Sequence, residues 1–188
     1  MKQKIVQASI KLFEKQGFTE TSIQDIVDSL NVTKGTFYYY FNSKEELLRD
    51  IHLDYISYVL EEQEKIIGDE SKTARGKLRT IVTMLITSIE SQGFMARIFF
   101  REIRNLSREH IEEITLRREK FLANLQQLIK TGIEKGEFKE GLNPDIVALG
   151  VLGMTNWSYQ WFKPEGELSD TEVAGIFVEM ILNGISLK

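Results

Sequence analysis

The residues that most often carry catalysis are scarce. The 188-residue chain holds two histidines, His52 and His110, and no cysteine. It therefore has no thiol nucleophile, no disulfide framework and no thiolate metal site. No phosphate-binding glycine loop, serine elbow or metal-ligand spacing accompanies the histidines. His52 falls within a long helical pattern and His110 at a helix start rich in arginine and glutamate. Both read as surface or hinge residues, and neither an enzyme activity nor a metal or cofactor is expected.

The chemistry on offer is concentrated instead in one short run, Thr33-Lys34-Gly35-Thr36-Phe37-Tyr38-Tyr39-Tyr40, followed by Phe41. Its start presents a hydroxyl, an ammonium and a bare glycine, a set that lets backbone approach the edges of bases. Its end presents phenols, whose hydroxyls reach phosphates without adding charge. The competing reading makes the tyrosines core or interface aromatics. Helical geometry weakens it, because three consecutive residues cannot all share the inward face of Phe37 and Phe41.

The elements that must position this run can be read from apolar spacing. A first helix puts Ile5, Ala8, Leu12 and Phe13 on one face and stops at Gly17. Thr21 or Ser22 caps a short second helix, with Gln24 or Asp25 completing the box and Ile23, Ile26, Val27 and Leu30 inward. Asn31 tolerates the left-handed turn that follows. Thr33 caps the third helix, 34–40. Ser43 with Glu46 opens a long fourth helix to about Ile67. Two short helices joined by a tight turn are the frame that sets a recognition helix in the DNA major groove. Further helices are predicted at about 74–91, 94–106, 108–135, 144–162 and 169–187, punctuated by Gly93, Gly136, Gly141, Pro144, Pro164 and Gly166. No stretch alternates as a strand, so the fold class is all-α: an N-terminal three-helix helix-turn-helix domain (1–48) and a C-terminal helical domain (49–188), about nine helices in all; the features described below make the second the expected ligand-binding and dimerisation domain.

The stretch Thr21-Ser22-Ile23-Gln24-Asp25-Ile26, then Asn31 to Phe41, then Ser43-Lys44-Glu45-Glu46-Leu47 resembles the DNA-binding domain of TetR-family regulators. The likeness covers roughly residues 2–50. Val27 stands where alanine is usual and Asn31 where glycine is usual. The resemblance implies base-facing roles for Lys34, Gly35 and Thr36. It implies phosphate contacts for Thr33, Tyr38, Tyr39, Tyr40 and Lys44, and for the cap at Thr21 and Ser22. It further implies a homodimer on a palindromic operator, most often a repressor released by a small ligand.

The body carries two other features. Residues 146–161 are apolar nearly all round, and the last helix offers Val173, Ile176, Phe177, Met180, Ile181, Gly184 and Ile185. A helix apolar on every side must be covered on every side. A four-helix dimer seam using Val151, Met154, Val173, Phe177, Met180 and Ile181 is expected, with an intramolecular core as the alternative. Arg97, Arg101, Arg104 and Arg108 fall at helical spacing. Beside Phe94, Phe99, Trp157 and Trp161 they would hold a part-apolar, part-anionic ligand such as an acyl-CoA. The alternative is a solvated row paired with Glu102, Glu109, Glu112 and Glu113. Residues 154–164, with Gly166 and the final helix, resemble the TetR subgroup that controls fatty-acid or steroid breakdown and answers to CoA thioesters. A drug-sensing efflux repressor is the other reading of such a body, and a small helical enzyme or adaptor the rival class.

Net charge is −4. Residues 1–52 are neutral, with seven basic and seven acidic side chains, so the body carries the excess. A neutral head grips DNA only if its lysines share one surface. No apolar run reaches the roughly 20 residues a membrane span requires, and the start lacks a signal-peptide apolar block. A cytoplasmic protein is expected.

Overall fold

The computed structural model describes residues 1–163 and 165–185, without the side chains of residues 90 and 91. Pro164 and Leu187, assigned above to a break and a helix end, lie outside the described residues. The helices are α1 (Lys2–Gln16), α2 (Ile23–Asp28), α3 (Lys34–Tyr38), α4 (Lys44–Gly68), α5 (Ala74–Glu102), α6 (Arg108–Glu134), α7 (Pro144–Trp161) and α8 (Asp170–Ile185). A single 3-10 turn covers Ile103–Asn105, and there is no strand among the described residues. None of these helices is long and apolar enough to cross a membrane.

The expected break at Gly93 is absent: α5 runs unbroken from Ala74 to Glu102. A glycine inside a helix costs only about 1 kcal/mol relative to alanine. The burial of Ala96, Ile98 and Phe99 just beyond it outweighs that. The third helix is shorter than expected, since Tyr39 is already its C-cap.

Spatially the chain forms two compact units, Met1–Ser57 with Phe94–Thr115, and Tyr58–Gly93 with Leu116–Lys188. In the first, Ile5, Phe13, Ile26, Val27, Phe37, Phe41, Leu47, Leu48 and Ile51 form one buried cluster with Ile98, Phe99, Leu106 and Ile114. In the second, Leu78, Ile81, Val82, Leu125, Ile129, Phe138, Ala148 and Val151 are buried, and Ile86, Ile89, Phe162, Val173 and Ala174 pack as a cluster.

Helix ends in the second unit are closed by groups from distant sequence. The Glu137 carboxylate accepts the Ala74 and Arg75 amides at the start of α5, an anion placed on the positive end of a helix dipole. Lys139 donates to the Gly184 carbonyl near the end of α8. Asn143 caps α7, whose first residue is Pro144.

Gly132 is fixed by a close approach. The chain reverses through Gly136 at φ 69°, returning the Glu137 and Phe138 amides to the Gly132 carbonyl. The buried Phe138 ring then lies where a side chain would stand: a methyl on Gly132 would be 2.3 Å from it. Overpacking of this kind costs about 1–3 kcal/mol, more than alanine's helix preference returns. Gly132→Ala is therefore expected to lower the melting temperature by several degrees, which thermal unfolding by circular dichroism would read. An unchanged melting temperature would show that Phe138 is free to move.

Candidate nucleic-acid interface

The surface expected to meet DNA is built from caps. At the start of α2 the Ser22 hydroxyl oxygen accepts the Asp25 amide, and Asp25 Oδ2 accepts the Ser22 amide and hydroxyl. These hydrogen bonds hold the Asp25 carboxyl below the usual aspartate range. Ser22, not Thr21, is thus the cap. Thr21 is buried, and its hydroxyl donates to the Gly17 carbonyl. The phosphate contact expected of it is corrected: the side chain is already committed inward.

Asn31 takes φ 52°, the left-handed turn anticipated for it. Thr33 then caps α3, its hydroxyl oxygen accepting the Thr36 amide. Phe37 and Phe41 are sealed inside with ring centroids 5.6 Å apart. That anchoring leaves Thr33, Lys34, Gly35, Tyr38 and Tyr39 exposed, with Thr36 and Tyr40 half-buried. Tyr39 is 81% exposed, its ring meeting that of Tyr40 edge-on at 4.8 Å. Gly35 has no internal need to be glycine, since an added methyl would meet only Thr33 Oγ1 at 3.5 Å. Of the expected base-facing and phenolic residues, Lys34, Gly35, Tyr38 and Tyr39 are thus open to solvent and Thr36 and Tyr40 partly so.

Ser43 opens α4 by accepting the Glu46 amide, while Glu46 reaches back to the Asn42 amide and side chain. Lys44 turns inward, donating to the carbonyls of Phe18 and Thr21. Glu45 accepts the Ser107 amide and lies 2.9 Å from His110 Nδ1. Those bonds hold its carboxyl below the usual glutamate range. Nothing local to Glu45 signals a partner 62 residues away, so sequence reasoning missed it.

The arginine row is also revised. Arg97 bonds Glu14 at 2.7 Å, and Arg101 bonds Glu102 and the Phe13 carbonyl. Both are fastened to α1 or to their own helix. Arg101, with Glu102 and Arg104, lines an open, polar groove of about 340 Å³ against residues 14–19, not an apolar pocket. Arg108 pairs with Glu112, as the solvated-row alternative has it. Phe99 is buried against His52 and Tyr55, whereas Phe94 is exposed beneath Arg97. Trp157 and Trp161 belong to the other unit, exposed on α7.

His52 is fully buried, not at the surface, with Nδ1 2.8 Å from the Leu48 carbonyl. Burial pushes its imidazole below the usual histidine range, against the pull of the Leu48 and Phe99 backbone and of Glu102. The unfolded chain therefore takes up a proton near pH 6.5 that the folded one refuses. Stability should fall as pH drops below about 6.5, by at most about 1.4 kcal/mol per pH unit. Denaturant titrations between pH 7.5 and about 5 should show that slope in the native protein and a shallower one in His52→Phe. Equal slopes would remove His52 from the account.

The expected seam divides in two. Val151, Val173 and Ile181 are buried within their own subunit, and Met154 and Phe177 are half-buried. Only Met180, 59% exposed, is fully available. The outward apolar face consists of Ile146, Leu149, Trp157 and Trp161 on α7 and Ile176 and Met180 on α8. On α8, Gly175, Ile176 and Met180 line a shallow groove of about 640 Å³ together with Leu168, Glu172, Glu179 and Asn183.

Comparison with known proteins follows the same outline. Residues 5–51 match the tetR family of bacterial regulatory proteins, and residues 71–185 match the C-terminal domain of tetracyclin repressor-like proteins. The chain is similar to the HTH-type transcriptional repressor KstR2 of Mycolicibacterium smegmatis, 24% identical over 98% of this chain and 90% of that protein. It is similar to the fatty acid metabolism regulator protein of Bacillus subtilis, 24% identical over the full length of both. Among solved structures it resembles AibR in complex with isovaleryl coenzyme A and operator DNA. There the TM-score is 0.84 and identity 27%, over 95% of this chain and 96% of that one. A capped helix-turn-helix with an exposed, lysine- and tyrosine-bearing recognition helix, joined to this C-terminal domain, identifies the chain as a member of the TetR family of DNA-binding transcriptional regulators.

Proposed function

We propose that the protein is a repressor that binds a palindromic operator as a homodimer and is released by a CoA thioester. Residues 1–48 make the DNA contacts, and residues 49–188 sense the effector and dimerise. The observation that carries the DNA reading is the five-residue α3. Its buried Phe37 holds Lys34, Gly35, Thr36 and Tyr39 outward together. Lys34, Gly35 and Thr36 face base edges, while Ser22, Thr33 and the tyrosines meet phosphates.

The effector class is supported by the relatives. AibR, with isovaleryl coenzyme A and operator DNA, is 27% identical across nearly the whole chain, and a fatty acid metabolism regulator matches end to end. These favour a thioester over the substrates of an efflux pump. Arg97 and Arg101 are tied to α1, so CoA phosphates are held by other groups. Effector and DNA are coupled only as far as the effector prefers one arrangement of the two heads. The protein acts in the cytoplasm and binds the thioester without turning it over.

The test is a paired titration with a short branched acyl-CoA, a long-chain acyl-CoA and the matching free acids. An acyl-CoA at 100 times its Kd should stabilise the fold by about 2.7 kcal/mol and lower operator affinity, while the free acids do neither. Stabilisation by a panel of apolar drugs, with none by any acyl-CoA, would move the protein to the efflux class.

A further inference from the structure

We infer that Lys44 is a positioning residue, bracing the loop ahead of the DNA-reading helices, and that it does not supply the phosphate contact its place in the family pattern implies. This rests on the reading of residues 1–48 as a DNA-binding head. The loop between α1 and α2 leaves α1 through Gly17 at φ 87° and reaches the Ser22 cap within five residues. Such a turn exposes carbonyls that no helix satisfies. Thr21 answers two of them, its hydroxyl donating to Gly17 O and its amide to Phe18 O. Gln16 answers Glu20 O. Lys44 gives Phe18 O a second donor, Nζ at 2.6 Å, and answers Thr21 O.

An ammonium has three donors and one compact charge. Two donors are taken by these carbonyls, and the charge sits 4.2 Å from the centroid of the Phe18 ring, a cation–π contact. Partial burial pushes the ammonium's pKa down, and the nearby Asp25, Glu20 and Glu102 carboxylates pull it back up. Those three acids offset the one positive charge locally. To reach a phosphate, Lys44 would have to abandon the Thr21 carbonyl, which belongs to a buried residue. By contrast Lys34 is exposed at the first position of α3, free to meet DNA.

The two roles predict different salt dependences. A phosphate contact releases counterions, so its loss reduces the slope of log K against log salt by about 0.9 per site, or about 1.8 for a dimer. A brace moves affinity without moving the slope. Operator binding by the full-length protein would be measured by fluorescence anisotropy at several salt concentrations for the native protein, Lys44→Met, Phe18→Leu and Lys34→Ala. Lys44→Met is expected to weaken binding about tenfold at every salt and leave the slope unchanged, while Lys34→Ala reduces the slope. Phe18→Leu, which keeps every charge but removes the ring under Nζ, should weaken binding in the same slope-neutral way. It also guards against a Lys44→Met protein that does not fold. A slope reduced in Lys44→Met with Phe18→Leu unaffected would overturn the brace and restore the phosphate contact. If the native protein shows no salt-dependent duplex binding, the DNA-binding reading itself falls and this inference with it.

Discussion

Replacing Met180 by glutamate is expected to leave the subunit folded and make the protein a monomer. Met180 is more than half exposed, within an outward apolar face on α7 and α8. A charge there meets only water in the isolated chain, but in a two-fold seam it faces apolar surface and its own symmetry copy. Burying an uncompensated carboxylate costs several kcal/mol, comparable with the binding energy of a moderate interface. Operator affinity should fall on the order of 100-fold or more, because two heads must be held about 34–36 Å apart to enter successive major grooves. The contrasting substitution is Val173→Glu, at a residue buried within its own subunit, which should unfold the protein. Light scattering separates these outcomes, and a Met180→Glu dimer would place the seam elsewhere.

Phe37→Ala should abolish operator binding and cost about 3–5 kcal/mol of stability. The recognition helix has five residues, far below the length at which a helix persists alone. It is ordered because Phe37 is sealed between Phe41 and the Tyr38 ring, 5.6 Å from each. Without that anchor the Thr33 cap remains, but nothing fixes the face that Lys34, Gly35 and Thr36 present. Chemical denaturation and anisotropy would show both losses. Wild-type operator affinity in Phe37→Ala would mean that DNA itself orders α3.

How much of this was legible in the sequence varied with how local the cause was. Ser22, Thr33, Ser43 and Asn31 were readable as caps and a turn because each acts within four residues of itself. Phe37 and Phe41 were readable as core because helical spacing sets them on one side. The contacts the sequence did not show are made with distant partners. Lys44 looks like any helix-start lysine until the loop at Phe18 and Thr21 is folded against it. Arg97 and Arg101 look like an anion site until Glu14 and the Phe13 carbonyl occupy them. His52 looked exposed because its burial depends on Phe99, 47 residues away. For α7 and α8, apolar on most sides, composition cannot say which face turns inward. The structure assigns Val151, Val173 and Ile181 to the subunit core, leaving Ile146, Leu149, Trp157, Ile176 and Met180 outside.

Dimeric, sequence-specific DNA binding that answers to a CoA thioester is tested most directly by selecting randomised duplex DNA with the purified protein, in the presence and absence of an acyl-CoA. Without effector, the selection should converge on a two-fold symmetric sequence whose half-sites lie a whole number of helical turns apart, at about 10–10.5 base pairs per turn. With acyl-CoA present, that enrichment should collapse. Convergence on no sequence, or on an asymmetric one that survives the acyl-CoA unchanged, would contradict the account.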